Sequence, residues 1–136
     1  MDESLVRAVR ERAGDACEYC RVPQSAYPTV TFPIDHIIAR QHGGPTILSN
    51  LANNCLHCNS HKGLNIAGID PVTRTLTKLF NPRRHKWRKH FRWDGPCLVG
   101  LTAVGRTTIA VLALNDPEAV AVRDALIEEG TFPPAG

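Results

Sequence analysis

The sequence predicts a single α+β domain built from a first helix, a cysteine-clamped core of strand, glycine-rich loop and helix, and a C-terminal extension of strands closed by a last helix. Three observations predict it. Apolar residues recur at helical spacing near both ends of the chain, short β-rich runs lie between them, and two CxxC pairs bracket the first of these runs. At 136 residues, with 43% hydrophobic and 21% charged residues, the chain suits one core and excludes a disordered or fibrous class.

The first helix is expected over Ser4–Ala13, where Leu5, Val6, Val9 and Ala13 alternate with charges and Gly14 supplies the C′ residue. Cys17 and Cys20 then form a tight turn. Thr29–Ile34 is rich in β-formers and should lead a strand into Asp35 and His36. Gly43-Gly44-Pro45 marks a loop, and Ser49 reads as the N-cap of a helix through Asn50–Asn54.

Asp70-Pro71 marks a turn before a β-like run from Thr73 to Phe80. Pro82 reads as the first residue of a basic helical segment, 82–92, and Leu98–Leu114 as two short strands or a buried hairpin within 97–114. Asn115 or Asp116 before Pro117 starts a helix over 116–129, with Val120, Val122, Ala125, Leu126 and Ile127 as its apolar face and Gly130 as its end. The tail from Thr131 to Gly136 is expected to fray.

Cys17, Cys20, Cys55 and Cys58 have the paired-knuckle spacing of a tetrahedral structural zinc site. Four sulfurs close the coordination shell, so such an ion holds the fold and leaves no position for a reacting water. The alternatives are a redox-active CxxC or a disulfide pair, which a reducing compartment disfavours. His57, between the second pair, is an alternative ligand to one of them, and Cys97, without a partner pair, reads as a small buried apolar residue.

Between and just after the knuckles stand Asp35, His36, Asn50, Asn59, His61 and Lys62. A carboxylate and an amide oxygen are hard ligands for Mg²⁺ or Mn²⁺, other divalent transition metals being possible, and a neutral imidazole is a base near pH 7. Phosphodiester hydrolysis needs these groups. Taken singly, the bland reading is that Asp35 and His36 end a strand while the asparagines cap helices.

In their order, Cys17-x-x-Cys20, Asp35-His36-Ile37, Gly43-Gly44, Asn50-Leu51, Cys55-x-x-Cys58-Asn59 and Lys62 resemble the HNH endonucleases, over residues 7–63. The resemblance implies a zinc-stabilised ββα-metal core, with residues 64–136 as an extension. It further implies a metal-dependent endonuclease in which Asp35 and Asn59 hold the catalytic cation and His36 is the general base. Asn50 would brace the hairpin and Lys62 would contact phosphate. His61 stands as a reserve metal ligand or proton donor.

The formal charge of +3 says little about partners, but Arg83, Arg84, Lys86, Arg88, Lys89 and Arg92 cluster in one stretch that suits phosphate. Trp87, Phe91 and Trp93 interleave it, either to stack on bases or, as we favour, as core anchors. The partner expected is DNA, double- or single-stranded, bound by a monomer or homodimer; a lone site would act as a nickase. The competing class is a non-catalytic zinc-ribbon nucleic-acid binder, and a protein-interaction module ranks last. No apolar run approaches a membrane span and the acidic start lacks a signal-peptide core, so a cytoplasmic protein without membrane contact is expected.

Overall fold

A computed structural model describes residues 1–134 and shows five helices and three two-stranded antiparallel sheets, an α+β architecture. Ala135 and Gly136, the end of the expected fraying tail, lie outside the described residues. The chain divides into two compact units, one of residues 1–66 with 81–84, the other of residues 67–80 with 85–136.

The first unit opens with α1 (Glu3–Ala13), capped by Asp2, whose carboxylate accepts the Ser4 N–H at 2.7 Å, and ended by Gly14 at φ 62°. That left-handed turn favours glycine. α1 lies against the rest of the unit through Val9 and through Arg12, whose guanidinium donates to the Leu48 and Leu51 carbonyls at 2.9 and 2.6 Å. Strand β1 (Ile34–His36) pairs with β2 (Leu51–Asn53), Asp35 opposite Ala52 and His36 opposite Leu51. Helix α2 (Leu56–Lys62) follows directly.

Two expectations are corrected here. Thr29–Pro33 carries no strand, so β1 is only three residues long. Asn50–Asn54 is not a helix: a 3₁₀ turn over Leu48–Asn50 leads into β2. All three β2 residues are buried, and their backbone groups find partners on β1, which outweighs the local N-cap signal of Ser49. The helix starts later, with Cys55 at the N-cap position.

In the second unit, β3 (Ala67–Ile69) and β4 (Leu76–Lys78) form a hairpin over the expected Asp70 turn. Asp70 closes it by accepting from Val72 N–H and the Thr73 hydroxyl, and it takes the Arg106 guanidinium on both oxygens at 3.0 and 2.8 Å. The basic stretch is helical for one turn only, α3 (Trp87–His90), and then becomes β5 (Phe91–Asp94), paired with β6 (Cys97–Gly100). Beyond Gly100 the expected strands give way to α4 (Ala103–Val111), whose N-cap Thr102 accepts the Gly105 N–H at 3.1 Å.

The aromatics of the basic stretch are core. Trp87 and Phe91 are buried, and Trp93 packs tilted against Trp87 and edge-on against Phe132. Phe132 is therefore anchored rather than frayed. The closing helix α5 (Pro117–Glu128) forms as expected, but its most buried residue is Arg123, which donates to the Pro96 and Leu114 carbonyls at 2.7 and 2.6 Å. Those bonds let a guanidinium sit where the pattern of apolar residues pointed to Ala125, which is exposed. Cys97 is half-buried at the edge of its hairpin. No helix among the described residues is long and apolar enough to cross a membrane.

Candidate active site and metal centre

The two CxxC turns converge. Cys17, Cys20, Cys55 and Cys58 are buried, none is in a disulfide, and their sulfurs all lie within 4.8 Å of one another. Tetrahedral Zn–S bonds of about 2.3 Å separate the sulfurs by about 3.8 Å; Cys20 and Cys55 Sγ stand 3.7 Å apart. The cluster thus has the size and donor set of a structural zinc site. Four sulfurs this close share protons unequally. Burial pushes the Cys17 thiol up, but hydrogen bonds from the other three outweigh it and hold Cys17 well below the usual thiol range. Hydrogen bonding to Cys17 in turn pushes Cys20 and Cys58 well above theirs. A zinc ion bound there would be held by all four sulfurs as thiolates.

The first knuckle is docked on β2. Glu18 N–H donates to the Asn53 carbonyl at 2.9 Å, and the Glu18 carboxylate accepts the Asn53 N–H at 2.9 Å. The other Glu18 oxygen pairs with Arg83, whose guanidinium also reaches the Leu51 carbonyl at 3.4 Å. Arg83, expected at phosphate, is thus engaged in the scaffold, a role no spacing rule signals. Arg84, Lys86, Arg88 and Lys89 are exposed and form no ion pair among the described residues.

Asp35 and His36 are adjacent on β1, so their side chains leave opposite faces of the strand. Asp35 is buried and meets Lys62 Nζ at 2.9 Å. Burial raises its carboxyl above the ordinary range, and Lys62 works against that rise. His36 is half-buried; its Nε2 lies 2.8 Å from the Thr46 hydroxyl, a partner the sequence did not single out. In the tautomer whose Nε2–H donates to the Thr46 hydroxyl, Nδ1 carries the free lone pair.

Asn50 holds the loop that carries Thr46. Its side chain accepts the Ile38 N–H at 3.0 Å and donates to the carbonyls of Ile38 at 3.0 Å and Pro45 at 2.9 Å. Gly44 lets the loop close this tightly, because a Cβ there would stand 1.7 Å from the Ile38 carbonyl oxygen. The Asn50 carbonyl also accepts the Ile37 N–H at 2.8 Å. Both strands are thereby tied just beyond His36.

This order of knuckle, acid, imidazole, bracing asparagine and second knuckle is matched by the family model for HNH endonuclease. The match covers residues 17–64. α1 lies before it. No curated protein and no solved structure matches the chain. Within the matched segment, Asn59 sits on α2 three residues before Lys62, half-buried and with no hydrogen bond to its side-chain amide among the described residues. Asn59 and Lys62, three residues apart, lie on neighbouring positions of one face of α2. His61 is exposed, its Nδ1–H donates to the His57 carbonyl at 2.8 Å, and its ring packs on the His57 ring. Lys62, expected at phosphate, is buried and bonds Asp35 and the His36 carbonyl instead.

Proposed function

We propose that the protein is a metal-dependent endonuclease that hydrolyses phosphodiester bonds of DNA. The observation that carries this reading is His36, half-exposed and fixed through Nε2 on Thr46, beside a buried carboxylate inside the HNH segment. Asp35 and Asn59 would hold Mg²⁺ or Mn²⁺, which supplies charge neutralisation at the phosphate and the leaving oxygen. His36 Nδ1 takes a proton from the attacking water as its oxygen bonds to phosphorus; the P–O3′ bond breaks, and O3′ takes a proton from solvent, leaving 5′-phosphate and 3′-hydroxyl ends. Thr46 keeps the imidazole aimed, and Asn50 keeps Thr46 in place. The zinc-type cluster is structural.

The exposed Arg84, Lys86, Arg88 and Lys89 suit phosphate contacts without base reading. A single site of this kind nicks one strand, so a monomer suffices for nicking and a homodimer for a double-strand break. One observation favours the second reading, a non-cleaving zinc-ribbon binder: Asp35 already has a counter-charge in Lys62.

The test is cleavage of supercoiled plasmid and of single-stranded DNA by the zinc-loaded protein with Mg²⁺, Mn²⁺ or neither, beside His36→Ala. Metal-dependent nicking that vanishes in a folded His36→Ala protein supports the nuclease. Binding without cleavage supports the zinc ribbon, and equal cleavage by His36→Ala removes His36 as the base.

A further inference from the structure

Lys62 is the most deeply buried lysine of the chain, 2% exposed along its side chain, and its amine has two partners: the Asp35 carboxylate at 2.9 Å and the His36 carbonyl at 3.1 Å. It thus joins the last turn of α2 to two successive residues of β1. A buried ammonium persists only where charge and hydrogen bonds compensate its lost hydration. The same holds for the carboxylate, and Lys62 is its one ion-pair partner among the described residues.

We infer that Lys62 is the resident counter-cation of the Asp35 site, a positioning residue that orients the carboxylate and the His36 backbone before a divalent ion arrives and that competes with this ion for Asp35. The inference rests on Asp35 being a divalent-metal ligand. A dication at Asp35 faces repulsion from an ammonium held 2.9 Å from Oδ2 of the same carboxylate, whether the ion takes the other oxygen, shares this one or displaces the amine. Metal affinity is then set lower than the ligands alone would give, while the metal-free site stays ordered.

Mn²⁺ binding to the zinc-loaded, full-length protein, followed by the loss of the free-ion electron paramagnetic resonance signal, tests this with wild type, Lys62→Met and Asp35→Asn. Asp35→Asn is expected to lose the site. Lys62→Met is expected to bind Mn²⁺ at least tenfold more tightly, and to melt lower than wild type without Mn²⁺ and recover when Mn²⁺ is added. Equal or weaker binding by a folded Lys62→Met protein overturns the inference.

A measurement on wild type alone covers the case in which Lys62→Met does not fold. The Lys62 ammonium resonance, protected by burial and assigned by its change in Asp35→Asn, should shift as Mg²⁺ is added, with the midpoint of metal binding. Mg²⁺ binding through Asp35 with an unmoved Lys62 signal overturns this inference and leaves the nuclease reading standing. Absence of any Asp35-dependent Mg²⁺ or Mn²⁺ binding overturns both.

Discussion

The side chain of Asn50 pairs with the peptide groups of Ile38 on both sides, accepting its N–H at 3.0 Å and donating to its carbonyl at 3.0 Å. A third bond, to the Pro45 carbonyl at 2.9 Å, makes this one amide the clasp of the loop between β1 and β2. Asn50→Ala leaves these buried backbone groups unpaired, which costs about 1–3 kcal/mol for each group not recovered by water. The expected result in urea unfolding is a loss of about 2 kcal/mol, and nicking should fall with zinc content unchanged. Asn50→Asp keeps the acceptor and loses both donations, so it should lie close to Asn50→Ala rather than to wild type.

The sulfur cluster makes a sharp contrast between cysteines. Cys55 supplies a cluster sulfur and caps α2, its Sγ accepting the Cys58 N–H at 3.4 Å. Cys55→Ser, or treatment with a strong chelator, is expected to release zinc and unfold the first unit, since binding of such an ion contributes on the order of 10 kcal/mol to folding in small zinc domains. Cys97 lies outside the cluster, and Cys97→Ser should retain full zinc by atomic absorption. Loss of zinc in Cys97→Ser would contradict this assignment.

Glu18 and Arg83 form an ion pair in which the carboxylate side chain is 7% and the guanidinium 15% exposed. Removing one partner strands the other. Glu18→Ala is expected to destabilise by about 3 kcal/mol, because it also removes the acceptor of the Asn53 N–H. In a double-mutant cycle, Arg83→Ala should cost much less on the Glu18→Ala background than alone. Additive effects would show that the pair is not coupled.

The Asp70 carboxylate gives a pH prediction. Hydrogen bonding from Arg106 first, then from Val72 and Thr73, holds its carboxyl well below the ordinary carboxylate range, against the opposing effect of burial. A carboxylate depressed in the folded state stabilises above its unfolded value near ~3.9 and loses that contribution as pH falls through the folded one. Wild-type stability should therefore drop as pH falls below about 4, and Asp70→Asn should be less stable at neutral pH with a flatter acid limb. Parallel acid limbs in melting temperature would remove Asp70 from this role.

The sequence by itself determined the four-cysteine cluster, the first and last helices and the segment that matches the HNH model. These rest on local or short-range rules: CxxC spacing, 3.6-residue periodicity, Gly14 after an amphipathic run, and Asp116-Pro117 before one. Only the tertiary structure decided where backbone partners came from. Leu51–Asn53 became a strand because β1 offered its hydrogen bonds and the cluster pulled the second knuckle beside the first. Ala103–Val111 became a helix where a run of apolar residues fitted a strand equally well, since short apolar runs carry no decisive period.

The charged residues divide in the same way. Lys62 and Arg83 are expected from the sequence at phosphate and Arg123 carries no expectation, yet each is drawn inward to a carboxylate or a set of backbone carbonyls. A long basic side chain carries no local mark of its destination. Its energy depends on whether the fold presents acceptors within reach, and that is settled when Asp35, Glu18 and the Pro96 and Leu114 carbonyls are placed.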